Sequence, residues 1–157
     1  ADELEPFGTV ANFEDPVLKN NLDWYRMLRE KTNIPIALHL QDPGAVLRAM
    51  KAECVDFVNF SATAQVVKQM AIVADAADVP CWVQMGGLCL GVKAAYSTHV
   101  QATIPNATLP CDELPFVRID DVLSGALVVE EGHFVLPEGP GLGVKLDMAV
   151  VEKYRVG

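Results

Sequence analysis

The stretch Thr9-Val-Ala-Asn-Phe-Glu-Asp-Pro16 decides how this chain folds. Residues 9–13 are predicted to form a short buried strand, which two acidic residues, Glu14 and Asp15, follow before Pro16 ends it. The loop after a strand is where a parallel α/β fold places its functional residues. We therefore expect the chemistry of this protein to lie at strand ends, with Glu14 as the best candidate metal ligand.

Further strands are predicted along the chain. Residues 34–40 form a continuous apolar run, which is typical of a strand buried on both faces of a parallel sheet. Similar strands are predicted over residues 55–60, 81–84 and, less regularly, 108–113. We expect the polar residues at these strand ends to converge on one site. They are His39, Asn59, Ser61, Gln84, Asp112 and Glu113.

Helical segments alternate with these strands. They are predicted from Asn20 or Asn21 to residue 31, from the Asp42-Pro43-Gly44 start to residue 52, from Ser61 or Thr63 to residue 77, and over residues 88–101. The segments 33–35 and 78–80 both end in proline before a strand, and we expect them to form the same turn. They indicate a repeated βα unit of roughly 20–28 residues. Such units in series form an open doubly wound sheet or part of a closed barrel.

The pattern changes after residue 115. Residues 127–129 and 133–136 are predicted to pair as two short strands across residues 130–132. A loop rich in glycine and proline covers residues 137–143, and Asp147 is predicted to cap a last helix that runs to residue 154. We therefore expect βα units within residues 1–115 and a different kind of structure, a C-terminal tail, within residues 116–157.

Composition excludes several classes of partner. The chain has 157 residues and a formal net charge of −9, which disfavours a nucleic-acid partner because phosphate backbones are bound by clustered Lys and Arg. No apolar run is long enough to cross a membrane, and no signal peptide is evident. The four cysteines form no Cys-x-x-Cys pair and are expected to be free thiols in a reducing, cytoplasmic compartment. A small-molecule partner and a homo-oligomer are the expected associations.

Several short stretches can be compared, in order, with known families. They are Phe13-Glu-Asp-Pro16, Ile34-Pro-Ile-Ala37, Val55-Asp-Phe-Val58, Val79-Pro80, Ala94-Ala95 with His99 and Pro105-Asn106, and the most specific one, Leu136-Pro-Glu-Gly-Pro-Gly-Leu-Gly-Val144. Together they resemble the mandelate racemase/muconate lactonizing branch of the enolase superfamily. The resemblance implies a (β/α) barrel of the TIM type, of which this chain holds the later βα units. An N-terminal capping domain and the first strands would belong to an upstream half of the same polypeptide, and the tail would pack back on the barrel or on that domain.

The resemblance also implies a metal site. The family binds Mg²⁺ through three carboxylates at successive strand ends, and the metal stabilises the enediolate formed when a base removes the α-proton of a carboxylate substrate. Glu14 falls on the second ligand position and His39 on the third, where the family has Asp or Glu. A nitrogen ligand there weakens the case for Mg²⁺ and favours a softer metal or none. Asp15 is expected to face away or to form a local hydrogen bond.

Three further residues fall on positions that the family uses for catalysis or substrate binding. Ser61 and Gln84 stand where members carry groups tied to proton transfer, although neither side chain is a base at neutral pH. Glu113 stands where members often have a Glu that hydrogen-bonds the substrate. The first metal ligand would lie upstream of this chain.

Two functions follow from these expectations. One is a divalent-metal-dependent enzyme that acts on a small-molecule carboxylate by α-proton abstraction, as a racemase, dehydratase or cycloisomerase. The other is a divergent member with a lost or altered metal site, which binds a ligand or catalyses another reaction. A nucleotide-binding protein is disfavoured because no Gly-x-Gly-x-x-Gly follows a strand.

Individual residues also have simpler interpretations. Glu14 could pair with Lys19, and His39 could be a core histidine with a backbone partner. His99 is expected to serve packing within its helix, and His133 to lie on the surface.

Overall fold

A computed structural model describes residues 1–85, 89–112 and 117–156. These residues form two compact units. The first contains Ala1–Trp82 and Ile104–Leu109, and the second contains the described residues of Val83–Thr103 and Pro110–Gly157. The predicted division into βα units within residues 1–115 and a C-terminal tail within residues 116–157 is a different one, and it stays a prediction.

Four strands form the main sheet in the order in which they occur along the chain. They are β1 (Phe13–Glu14), β2 (Ile36–Leu40), β3 (Phe57–Phe60) and β4 (Cys81–Val83). The pairs β1–β2 and β2–β3 are parallel. The predicted bounds of the first strand, residues 9–13, are wrong. The ladder with β2 begins at Phe13, whose N–H donates to the carbonyl oxygen of Pro35 at 2.8 Å.

The helices connect these strands and follow the predicted order. They are α1 (Leu22–Arg29), α2 (Pro43–Ala52), α3 (Ala64–Asp75), α4 (Gly91–Gln101) and, near the C-terminus, α5 (Met148–Lys153). Asn21, Asp42 and Asp147 each accept a hydrogen bond from a backbone N–H of the first turn, as expected of N-cap residues. The predicted start of α4 at residue 88 lies outside the described residues.

The core of the first unit lies between the sheet and its helices. The side chains that fill it are apolar and almost fully buried, and each contributes about 1.5–3 kcal/mol through removal from water. Because β2 is buried along its length, it reads as a continuous apolar run rather than an alternating one. Besides Tyr25, the large and fully buried apolar residues of this unit are Ile36, Leu38, Val46, Val58, Phe60, Val67 and Met70.

The register of the sheet decides which polar residues share a face. Glu14 is paired with Ala37, and His39 is paired with Asn59. Side chains that are paired across a ladder point to the same face, and so do residues two apart in one strand. Glu14, Ala37, His39 and Asn59 therefore lie on one face of the sheet, opposite Leu38 and its neighbours.

The two proline-ended turns differ in conformation, so the expectation that they are the same is wrong. Asp78 has a positive φ of 54°, whereas Asn33 does not adopt a left-handed conformation. The first turn is instead held by Glu5, whose Oε1 accepts hydrogen bonds from the Thr32 hydroxyl at 2.6 Å and the Asn33 N–H at 2.8 Å. These two hydrogen bonds, with that from the Thr32 hydroxyl first, lower the pKa of the Glu5 carboxyl.

The C-terminal predictions need two corrections. Residues 108–112 form no strand, and Glu113, the end of the predicted strand, lies outside the described residues. The hairpin consists of β5 (Val129–Glu130) and β6 (His133–Phe134). Its turn covers residues 131–132, one residue fewer than the predicted loop over residues 130–132. Glu131 and Gly132 have positive φ of 49° and 80°, which is the requirement of a two-residue hairpin turn.

None of the helices in residues 1–85, 89–112 and 117–156 is both long enough and apolar enough to span a membrane.

Candidate metal centre

Three side chains with metal-ligating atoms meet beyond the end of β1. One such atom from each of Glu14, Asp15 and His39 lies within 4.8 Å of the others. Glu14 is exposed, while Asp15 and His39 are half-buried. The structure thus brings together Glu14 and His39, the two predicted ligands. It adds Asp15, which was expected to face away or to bond locally.

Asp15 reaches this cluster through an unusual backbone conformation. Its φ is +49°, in the left-handed region that aspartate tolerates better than most residues. Its Oδ1 accepts a hydrogen bond of 3.0 Å from the backbone N–H of His39, and its Oδ2 lies 2.7 Å from the Nζ of Lys19. Lys19 thus pairs with Asp15, not with Glu14 as the simpler interpretation had it. Backbone strain of this kind is concentrated at functional sites.

Tyr25 of α1 fixes the loop that carries Asp15 through a hydrogen bond. The Tyr25 side chain is fully buried, and its hydroxyl donates a 2.9 Å hydrogen bond to the carbonyl oxygen of Val17. Burial and, second, the negative charge of Asp15 raise the pKa of Tyr25, so that the hydroxyl stays protonated. The loop after β1 is therefore attached to the core at a fixed point two residues beyond Asp15.

Asn59 holds the other candidate ligand. Its Nδ2 donates a 2.8 Å hydrogen bond to Oε1 of Glu14, and the residue is fully buried. Its Oδ1 is also buried and has no hydrogen-bond partner among the residues that the structure describes. The sequence placed Asn59 at a strand end but gave it no role. The signal that could have found it is an amide inside an otherwise apolar strand, aligned with His39.

His39 and Ser61 form the third part of the site. The Nε2 of His39 lies 2.7 Å from Oγ of Ser61, which also accepts a 3.1 Å hydrogen bond from Nε2 of Gln41. The predicted proximity of Ser61 to the site is thus observed, while its role stays a prediction. His39 offers a nitrogen to the cluster but is not a free side chain, since one ring nitrogen is shared with Ser61.

The remaining residues named in the sequence analysis are placed as follows. Gln84 directly follows β4 and belongs to the second unit, so its part in the site stays a prediction. Glu113 lies outside the described residues. His99 is half-buried in α4, with Nε2 3.1 Å from the carbonyl oxygen of Leu142. His133 is exposed, as predicted, with Nδ1 3.0 Å from the carbonyl oxygen of Glu131.

The donor set of this site fits a hard divalent cation. The cluster holds two carboxylates, from Glu14 and Asp15, and Mg²⁺ prefers oxygen ligands of this type. Oxygen atoms thus outnumber the His39 nitrogen, which reduces the preference for a softer metal that His39 alone suggests.

The fold and this site together define a chain built from the later βα units of a TIM-type α/β barrel, with its candidate ligands at strand ends. A model of the family described as enolase C-terminal domain-like matches residues 1–150. This chain belongs to that family, in the mandelate racemase/muconate lactonizing branch of the enolase superfamily.

Individual relatives agree with this assignment. The chain is 30% identical over 154 residues to a chloromuconate cycloisomerase of Pseudomonas putida, a match that covers 92% of this chain and 40% of the relative. It is 27% identical over 163 residues to a D-xylonate dehydratase of Haloferax volcanii, covering 99% of this chain and 39% of the relative. The chain therefore spans about two fifths of the length of these curated relatives.

A solved structure shows the same fold. The 2-chloromuconate cycloisomerase of Rhodococcus opacus 1CP superposes with a TM-score of 0.84 at 25% sequence identity, over 98% of this chain and 43% of that protein. The predicted α/β barrel class is confirmed by this likeness.

Proposed function

We propose that the full-length protein is a divalent-metal-dependent enzyme that removes the α-proton of a small-molecule carboxylate substrate. The observation that carries this proposal is the approach of Glu14, Asp15 and His39 to within 4.8 Å of one another at a strand end. Relatives named as a cycloisomerase and a dehydratase, and a branch named for a racemase, support the reaction class. Mg²⁺ is the proposed cofactor, because oxygen atoms dominate the donor set.

Each side chain of the cluster has a proposed task. Glu14 and Asp15 hold the cation, and His39 is the third proposed ligand. Asn59 fixes the carboxylate of Glu14 by a hydrogen bond. Lys19 keeps Asp15 oriented while offsetting part of its charge. When bound, the cation would stabilise the negative charge that develops on the substrate carboxylate as the proton leaves.

The base that takes the proton is proposed to come from the part of the protein that is not in this chain. Ser61 and Gln84 do not ionise near neutral pH and are assigned to hydrogen bonding with the substrate, together with Glu113. A homo-oligomer remains part of the proposal, to be measured by light scattering on the full-length protein.

Calorimetric titration of the full-length protein with Mg²⁺ and with Mn²⁺ tests the proposal. Glu14→Gln removes one charge and one ligand and is expected to raise the dissociation constant by about tenfold or more. Glu30→Gln removes the same charge just after α1 and is the matched control, expected to bind as the parent does. Absence of binding, or equal binding by the Glu14→Gln variant, would overturn the proposal.

One observation favours a second candidate function. The shared hydrogen bond between His39 and Ser61 occupies a ring nitrogen at the position where the family has a carboxylate. A member altered in this way could bind a carboxylate without abstracting a proton. Turnover of any acid sugar or α-hydroxy acid in a substrate library would exclude a binding protein without catalytic activity.

A further inference from the structure

The proposed function gives a role to Nδ2 of Asn59, which donates to Glu14, but none to its Oδ1. Asn59 is fully buried in β3, and the ladder places it on the same face as Glu14 and His39. Its two amide atoms have different surroundings. Nδ2 donates to Glu14, whereas Oδ1 is buried and has no partner among the described residues.

The orientation of this amide follows from chemistry. A flipped side chain would place Oδ1 against Oε1 of Glu14, two acceptors that repel each other when the carboxylate is charged. Nδ2 must therefore face Glu14, and Oδ1 is the atom left without a donor. Because the two atoms share one carbon, Oδ1 belongs to the same amide group that donates to Glu14.

The charges of the neighbouring side chains indicate whether this amide oxygen would bind a cation or an anion. The cluster contains two acidic side chains, Glu14 and Asp15, and Lys19 forms an ion pair with Asp15 alone of the two. The remaining negative charge attracts a cation and repels a carboxylate. An amide oxygen is a good ligand for a hard divalent cation, and leaving a buried acceptor unpaired is otherwise unfavourable.

We propose that Asn59 is itself a ligand of the divalent cation, through Oδ1, and completes an oxygen set with Glu14 and Asp15. This inference rests on the proposed metal-dependent function, but it assigns a ligand from β3 that this function does not require. Asn59 then acts twice, since Nδ2 orients one ligand while Oδ1 supplies another.

Two substitutions separate these roles. Asn59→Leu has a similar shape and removes both the donor and the oxygen. Asn59→Asp keeps an oxygen at the same place and adds a charge, but it loses the donor to Glu14. If Oδ1 is a ligand, Mn²⁺ binding should weaken by about tenfold or more in the Leu variant and stay within about threefold of the parent, or tighten, in the Asp variant.

A residue that only positions Glu14 would behave differently. The Asp variant would then bind Mn²⁺ as poorly as the Leu variant, because both lack the N–H donor. Asn20→Asp adds the same charge at an exposed position before α1 and controls for general attraction of the cation. Thermal unfolding in the presence of a chelator identifies any variant that has lost its fold.

A direct spectroscopic measurement does not depend on any variant. In full-length protein labelled with ¹³C at Cγ of asparagine, electron–nuclear double resonance of bound Mn²⁺ should show coupling to a ¹³C nucleus. The coupling should be absent from the Asn59→Leu protein. If Mn²⁺ binds in a Glu14-dependent way without this coupling, the inference fails and the proposed function stands. If the parent protein binds no Mn²⁺, both fail.

Discussion

The imidazole of His39 and the hydroxyl of Ser61 lie 2.7 Å apart, joining the end of β2 to the residue that follows β3. The two strands are neighbours in the sheet, so this bond connects side chains that are 22 residues apart in the sequence. Gln41 donates to the same hydroxyl at 3.1 Å. The contact with Ser61 thus holds one ring nitrogen of His39, while the hydrogen bond from its backbone N–H to Asp15 fixes the main chain at this residue.

Replacement of Ser61 by alanine is expected to release the imidazole of His39. The loss of one partly buried hydrogen bond should lower the free energy of unfolding by about 1 kcal/mol. Nitrogen NMR of ¹⁵N-labelled histidine should show a changed balance between the two ring tautomers of His39. Ser61→Thr keeps the hydroxyl and should leave the signals in place. Unchanged imidazole shifts in Ser61→Ala would contradict the bond.

Replacement of Lys19 by methionine is expected to strengthen cation binding while hardly changing stability. The Lys19 side chain is 48% exposed and that of Asp15 is 23% exposed, and ion pairs that solvent screens contribute about 0–1 kcal/mol. Removal of the positive charge leaves both carboxylates for the cation, so the dissociation constant for Mn²⁺ should fall by roughly threefold to tenfold. Lys51→Met, on α2, is the charge-matched control. Weaker binding in Lys19→Met would mean that Lys19 chiefly orients Asp15.

Replacement of Tyr25 by phenylalanine is expected to loosen the loop that carries Asp15. The carbonyl oxygen of Val17 loses its partner, which should lower the free energy of unfolding by about 0.5–1.5 kcal/mol. Mn²⁺ affinity should fall several-fold as well, because Asp15 lies two residues before Val17. Tyr154→Phe removes a hydroxyl that donates to Asp120 in the second unit and serves as the control for Mn²⁺ affinity. A stability loss with unchanged Mn²⁺ affinity would show that the anchor does not reach the site.

Replacement of Glu5 by glutamine is expected to give a stability loss that depends on pH. Hydrogen bonds from the Thr32 hydroxyl and the Asn33 N–H lower the pKa of the Glu5 carboxyl from its ordinary value of 4.5. A lowered pKa means that the charged carboxylate stabilises the fold above pH 4.5, and that this contribution is lost as the pH falls through the lowered pKa. Thermal unfolding at pH 7 and in steps below pH 4.5 measures the difference from the parent protein.

Glu3→Gln removes the same charge at an exposed position of the same segment and is the control for that series. If the difference between Glu5→Gln and the parent grows as the pH falls, the sign of the coupling is wrong.

Much of the architecture could be predicted from local patterns. The apolar run before His39 predicts a doubly buried strand, and Asp42 before Pro43 predicts the start of α2, because both signals depend on residues adjacent in sequence. The hairpin register could not be predicted in this way. It depends on the positive φ of Glu131, and a glutamate in the sequence does not predict such a conformation.

The candidate site divides in the same way. Glu14 was predicted because it follows a recognisable strand, and the family resemblance placed His39 on a ligand position. Asp15 was expected to face away or to form a local hydrogen bond. Along a regular strand, neighbouring side chains point to opposite faces. The left-handed turn at Asp15 breaks that alternation, and it is held by His39 and Lys19.

The sequence by itself determined the alternating βα order, the buried strands and the acidic residue at the end of the first of them. These properties follow from hydrophobic spacing and turn residues over short distances. Only the tertiary structure decided that Asp15 enters the cluster. It also decided that Asn59 donates to Glu14, with a buried amide oxygen that has no partner in the part of the chain that the structure describes. Those positions depend on the register between strand residues that are twenty or more positions apart in the chain, and short-range patterns do not fix that register.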